Sequence, residues 1–298
     1  RRSFKVSRII TVFGATGAQG GGLARAILAD PEQRFRVRAI TRKPDSLAAQ
    51  RLAEAGAEIV VADLDDPVSV RRAMDGANGA FCVTNFWEHF SPHKELVQAH
   101  TMAQAALDAG VKHVVWSTLE DTREFVAPGS RMPVLIGKYN VPHYDGKGEA
   151  NRAFIDRGLP TTLLYTSFYW DNLIHFGMQP QRGADGVLNF VLPTGEAKLP
   201  GIAAADIGVC AFAIFARGEE LIGKSIGIAG EHLSGAQMAE QLAHALGEPV
   251  RHVALTPPQY AALGFPGADD LANMFQFKTE FEHMYCSARR IECTRELN

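Results

Sequence analysis

Three groups of residues in this chain have the types and spacing to do chemistry. The first is Gly14-Ala15-Thr16-Gly17-Ala18-Gln19-Gly20, with a glycine at every third position. Between a strand and a helix, such glycines allow a tight turn (Gly14), close approach of backbone to a diphosphate (Gly17) and close helix–strand packing (Gly20). The diphosphate then rests on the free N–H groups of the helix N-terminus. The second group is Thr41-Arg42-Lys43. A site for NAD places Asp or Glu there, roughly 20 residues past the glycines, to hold the ribose 2′-hydroxyl. Two cations and a hydroxyl stand here instead, and a guanidinium can grip a 2′-phosphate with two hydrogen bonds. The expected cofactor is therefore NADP(H). The third group is Lys147 with His143 four positions before it, on one face of a helix. Each group also has a plainer reading: an empty glycine turn, a solvated strand end, a surface histidine and lysine.

The elements that must position these residues can be read from hydrophobic periodicity. Short β-branched runs at 9–13, 35–41, 57–62, 79–84 and 113–117 alternate with helical patterns at 23–30, 47–55, 68–75 and 95–109. That rhythm means βαβ units, and right-handed crossovers make them a doubly wound parallel sheet of Rossmann type, an α/β fold. The ends of the third and fourth strands, Asp63-Leu64 and Thr84-Asn85-Phe86, face the same crevice and are expected beside adenine and its ribose. Asp63 is equally a candidate cap for the helix starting near Pro67. Residues 120–141, rich in Gly, Pro and Arg, read as a long loop, functional or mobile. Asn140 is expected to cap the next helix, which runs to about Arg157, and a buried strand follows at 161–166. Beyond 167 the pattern is mixed: aromatic Phe168-Tyr169-Trp170, a turn-rich stretch at 183–200, a helix at 207–216 capped by Asp206, a strand at 225–229, and helices to the end. The expected domains are 8–166, with 202–229 returning to it, and a smaller, mainly helical unit over 167–298.

Composition excludes several classes. The chain has 298 residues, 46% hydrophobic and 21% charged, with a formal charge of -3 and no basic stripe for nucleic acid. Its most apolar helical stretch, 207–215, is too short to span a bilayer. Four cysteines without a CxxC pair suit a reduced, cytoplasmic protein, with Cys82 as packing inside a strand. The basic start, Arg1-Arg2-Ser3-Phe4-Lys5, leads into a short β-like run and not an apolar signal segment. The chain opens without methionine and stops abruptly at Asn298, so its ends are expected to be those of a fragment. His89 and His93 form no metal-ligand set with any neighbouring pattern.

The glycine spacing is that of short-chain dehydrogenases, and further motifs narrow the resemblance. VFGATGAQGG at 12–21, TRKP at 41–44, VTNFWE at 83–88 and HYDGKGE at 143–149 resemble the NmrA-like family, in particular its NADPH redox-sensor group. YWDNL at 169–173, LPTGE at 192–196 and GFPGADDLANMF at 264–275 extend the match nearly to the C-terminus. The resemblance implies an NADP(H) site that includes Lys147, Tyr169, Trp170, Asp171 and Asn172, and a C-terminal part that faces a partner protein or substrate. Loop 120–142 looks longer than that group's usual version.

Active short-chain dehydrogenases carry Tyr-x-x-x-Lys on one helix, with a serine at the end of the fifth strand. Here Ser117 and Thr118 fall at that strand end, His143 takes the tyrosine's position, and Tyr144 is one residue out of register. One residue turns a side chain by about 100° around a helix, so Tyr144 is expected to miss. His143 is then the candidate proton donor beside Lys147. Two functions follow. The first is a regulator that senses NADPH against NADP and acts on a partner protein. The alternative is an NADPH-dependent oxidoreductase that reduces a small carbonyl, quinone or enone-like substrate. A homodimer is open in both.

Overall fold

The computed structural model describes residues 8–298, so the basic opening at 1–7 lies outside the described residues. Six short strands with β-branched and apolar cores follow one another with helices between: β1 (Arg8–Val12), β2 (Phe35–Thr41), β3 (Glu58–Val61), β4 (Gly79–Cys82), β5 (His113–Thr118) and β6 (Thr161–Tyr165). The helices between them are α1 (Ala18–Leu28), α2 (Leu47–Glu54), α3 (Pro67–Met74), α4 (Pro92–Ala109) and α5 (Pro142–Ile155). Next in the chain come β7 (Phe168–Tyr169), α6 (Asn172–His175), β8 (Gln181–Arg182), β9 (Leu188–Leu192), β10 (Lys198–Ile202), α7 (Ala204–Arg217) and β11 (Ser225–Gly227). β12 (Glu231–Ser234), α8 (Gly235–Leu246), β13 (Val250–Ala254), α9 (Pro257–Ala261), α10 (Ala268–Glu280), α11 (Glu282–Ser287) and α12 (Ile291–Leu297) complete it.

The main sheet has seven strands in the order β11-β6-β5-β4-β1-β2-β3, all paired in parallel. The chain runs outward from β1 through β3, then returns and runs the other way from β4. Open α/β sheets bind ligands where that reversal leaves a crevice, beyond the ends of β1 and β4. One apolar cluster joins α1 and α7 to one face of the sheet, and another joins α3, α4 and α5 to the opposite face. Two three-stranded sheets, β12-β10-β7 and β13-β9-β8, lie with α8 to α11 in the C-terminal part around a third core. A buried, two-pronged pair of Arg289 with Glu120 (2.9 Å for Nη2–Oε2) ties that part to the segment after β5. No helix among the described residues is long and apolar enough to cross a membrane.

Several local expectations need correction. α1 begins at Ala18, five residues before the predicted start, because the glycine run is helical. Its purpose is a close crossing: a Cβ at Gly22 would stand 2.5 Å from Ala205 O, and one at Gly208 would stand 2.0 Å from Leu23 N. α1 and α7 therefore touch backbone to backbone. Asn140 does not cap α5; its amide donates to Val126 O (2.8 Å), and the Asp145 carboxylate accepts from Asn140 N (2.9 Å) and Val141 N (3.0 Å). Asp206 lies within the first turn of α7, whose Ala204 N–H is instead accepted by Asp171 (2.8 Å). Asp66, not Asp63, caps α3.

Candidate active site

The glycine loop has the backbone that a dinucleotide needs. Gly14 has φ +61°, and a Cβ on Gly20 would lie 2.3 Å from Gly14 O, so a larger residue there would force the turn open. α1 has no side-chain cap and no acidic residue in its first turn, which leaves its N-terminal N–H groups and dipole available to an anion. These features fit a bound diphosphate. Thr16 and Ala18 flank Gly17 on the same turn. Gln19 bridges to the rest of the crevice: it accepts from Ser117 Oγ (2.7 Å) and donates to the Tyr169 hydroxyl. The strand-five serine and the aromatic segment thus meet at the loop. Of that segment, Trp170 packs its ring over Gly201, Asp171 caps α7, and Asn172 opens α6.

At the end of β2, Thr41 Oγ1 accepts from Lys43 N (3.0 Å) and Arg42 extends outward to Glu88 Oε1 (2.9 Å). Asp63 accepts from Asp65 N (2.9 Å) in a turn after β3, with Leu64 packed beside the second core cluster. Thr84, Asn85 and Phe86 follow β4 directly.

Lys147 points from α5 to the end of β4. Its Nζ donates to Thr84 O (2.9 Å), Thr84 Oγ1 (2.6 Å) and Glu95 Oε2 (3.0 Å). An ammonium has three donors, so all are engaged, and Lys147 meets a ribose only by releasing one. Glu95 is the residue that sequence reasoning missed. It is fully buried in the first turn of α4, where its only outward sign was a carboxylate three residues past Pro92. Burial pushes its carboxyl up, but the Lys147 ammonium, with the Thr84 hydroxyl, outweighs that and holds it at about 2. His89 Nε2 stands 3.4 Å from Glu95 Oε1, without hydrogen-bond geometry to it.

His143 and Tyr144 part company. Tyr144 turns away from the crevice into the C-terminal core, where its hydroxyl meets Tyr285 Oη at 2.6 Å and burial raises its pKa well above the usual phenol range. The one-residue offset on the helix accounts for this, and Tyr144 is withdrawn as a catalytic candidate. His143 stays on the Lys147 side. Its backbone N–H donates to Asp270 Oδ2 (3.1 Å), and its ring Nδ1 pairs with Asp270 Oδ1. The ring is framed by Trp87 (4.9 Å between centroids) and Phe86 (6.0 Å). Trp87 in turn lies on Gly267, at the head of α10.

A parallel α/β sheet with a glycine turn at its reversal defines a Rossmann-type dinucleotide-binding fold. The sequence profile of the NmrA-like family matches residues 7–297, and the chain belongs to that family. The NmrA-like family domain-containing oxidoreductase FrzB of Cladobotryum sp is 30% identical over 288 residues, covering 90% of this chain and 83% of that protein. Among solved structures, NmrA, a negative transcriptional regulator, superposes with a TM-score of 0.80 at 22% identity, covering 98% of this chain and 91% of NmrA. The Citrobacter sp. triphenylmethane reductase complexed with NADP(H) gives 0.74 at 20% identity, covering 97% and 94%.

Proposed function

We propose that this chain binds NADP(H) and reduces a small carbonyl, quinone or enone-like substrate, with His143 as the proton donor. The sequence pointed first to a sensor. The observation that moves the reading to a reductase is the pairing of His143 Nδ1 with Asp270, which lay beyond reach of the sequence. A carboxylate on Nδ1 fixes the tautomer and ring orientation and stabilises the imidazolium, and Nε2 is left to exchange a proton with substrate. The bound nicotinamide supplies the hydride. Thr16 to Gly20 hold the diphosphate, and Arg42, Lys43 and Thr41 hold the 2′-phosphate. Asp63, Leu64 and Asn85 frame the adenosine, while Phe86, expected beside the ribose, packs on the His143 ring. Lys147, held at the end of β4 by Thr84 and Glu95, reaches the nicotinamide ribose by releasing one of these partners. Tyr169 closes the crevice through Gln19. The relatives named as oxidoreductases agree with this reading.

One observation favours the sensor: every donor of Lys147 is already engaged and Tyr144 is withdrawn, so the Tyr–Lys pair of active dehydrogenases is missing. Mixing the protein with NADPH and a panel of aldehydes, quinones and enones separates the two. Oxidation of NADPH that His143→Asn abolishes, with cofactor affinity intact, supports the reductase. Tight binding of NADPH with no oxidation by any acceptor overturns it in favour of the sensor.

A further inference from the structure

The cation assigned to the 2′-phosphate already holds an anion of the protein. Arg42, at the end of β2, donates from Nη2 to Glu88 Oε1 at 2.9 Å, and Asn85 Nδ2 supports the same oxygen at 3.3 Å. Glu88 belongs to the short 3-10 turn Phe86–Glu88 that follows β4. In the sheet, β4 and β2 flank β1, so the loops after them stand on either side of the glycine loop. Glu88 and Arg42 close the crevice between those loops where the adenosine ribose would sit.

A carboxylate at this place has a known chemical meaning. In a site for NAD, the second strand ends in Asp or Glu, which accepts the ribose 2′-hydroxyl. β2 here ends in Thr41-Arg42 and has no such group. The carboxylate arrives instead from a loop 46 residues further along the chain. A 2′-phosphate and a 2′-hydroxyl then meet the pair differently. The phosphate needs the guanidinium and repels the carboxylate, so Glu88 must give up Arg42. The hydroxyl needs an acceptor, and Glu88 offers its second oxygen without leaving Arg42.

We propose that Glu88 is a specificity residue: it competes with the 2′-phosphate for Arg42 and serves as the acceptor for the 2′-hydroxyl of NAD(H). The assignment rests on the dinucleotide reading above. It narrows the preference for NADP(H) that Arg42 alone would give. It also links the two ends of the cofactor site, because Trp87, next to Glu88, lies against the His143 ring and Gly267.

The test is calorimetric titration of the full chain with NADP+ and NAD+, for the wild type, E88Q, R42A and the double variant. Both side chains are about half exposed, so neither substitution threatens the fold. An exposed ion pair is a modest competitor, so E88Q tightens NADP+ by about two- to fivefold. The same change weakens NAD+ by about threefold or more through the lost charged acceptor. In the R42A background the gain for NADP+ from E88Q shrinks, since there is no guanidinium to compete for and only direct repulsion of the phosphate is relieved. A ratio of the two affinities that stays within about twofold in E88Q overturns the assignment. So does a gain for NADP+ that is undiminished without Arg42, which would be general charge repulsion alone. A wild type that binds neither dinucleotide overturns the dinucleotide reading itself; binding with an unchanged ratio overturns this assignment alone.

Discussion

The Asp270 carboxylate holds His143 at two atoms at once, the backbone N–H at 3.1 Å and the ring Nδ1. One side chain of α10 therefore fixes both where α5 starts and which way its imidazole faces. Asn273, one turn further along α10, donates to Asn140 O (2.7 Å) and Pro133 O (2.9 Å), so the GADDLAN segment clamps the entry to α5. For Asp270→Asn we expect NADPH oxidation to fall at least about tenfold, as general acid–base catalysis contributes 10²- to 10⁴-fold and an amide cannot stabilise the imidazolium. Cofactor affinity and melting temperature should change little by comparison. Equal loss of cofactor binding and turnover would reduce Asp270 to a packing role.

Glu95 and Lys147 make a buried pair whose members need each other. Lys147 is only 12% exposed and Glu95 is at 0%, so removing the carboxylate strands an ammonium between β4, β5 and α4. Breaking such a pair from one side costs about 3–5 kcal/mol. We expect Glu95→Ala to lower stability by that order in urea unfolding near neutral pH. The pH dependence follows from the lowered pKa, about 2 against 4.5. The folded carboxyl resists protonation, so the contribution is complete above the unfolded value and is lost as pH falls from there toward the folded one. The variant and wild-type curves should converge in acid. A constant gap across that range would count against the ion pair as the cause.

Much of the fold was legible because buried parallel strands and their helices leave strong periodic traces; β2, at 35–41, has the predicted bounds. The tight glycine turn, with Gly14 at positive φ, and the turning of Tyr144 away from the crevice also follow from local spacing. What escaped depended on contacts distant in sequence. Asp270 lies 127 residues from His143, and Glu95 lies 52 from Lys147. Neither residue type nor spacing marks such partners. Caps failed for a related reason. Asp171 reaches the start of α7 from another segment and Asp145 reaches back from inside α5, so the nearest preceding Asp or Asn was a poor guide. The start of α1 was misjudged because a glycine run lowers helix propensity, while its crossing with α7 repays that locally.

Loop 120–142 was read as functional or mobile; α10 holds its middle through Pro133 and Arg131, and Asp145 holds its ends. Asp145 accepts from Thr122 N (2.8 Å), Thr122 Oγ1 (2.6 Å), Asn140 N (2.9 Å) and Val141 N (3.0 Å), joining both ends of the loop. Asp145→Ala should leave these donors buried without partners, at about 1–3 kcal/mol each before relaxation. We expect the loop to open first. Limited proteolysis should cut within 122–141 faster than in the wild type, and amide exchange there should rise while β1 to β6 stay protected. Uniform acceleration across the sheet would mean that Asp145 supports the whole domain and not the loop.

His113 opens β5, and its Nε2 lies 2.8 Å from Thr162 Oγ1, which itself donates to Leu221 O (2.8 Å). The threonine hydrogen is thus spent, so Thr162 accepts and Nε2 carries the proton of a neutral ring. Phe215 packs edge-on at 5.2 Å. Burial pushes the pKa from 6.5 down to about 4. A charged imidazole is therefore disfavoured in the folded chain but not in the unfolded one. Between those two values the unfolded state binds more protons, so stability is full above the unfolded pKa and falls as pH drops toward the folded one. At 1.36 kcal/mol per unit the full loss attributable to His113 is about 3.4 kcal/mol, of which about 2–3 kcal/mol is reached by pH of about 4.5. His113→Gln keeps a donor toward Thr162 and cannot titrate. Its urea-unfolding stability should exceed a parallel wild-type trend by about that amount at pH of about 4.5, once the two are matched at about pH 7.5. Parallel curves would show that the imidazole is protonated without penalty and that its burial is not the source of acid sensitivity.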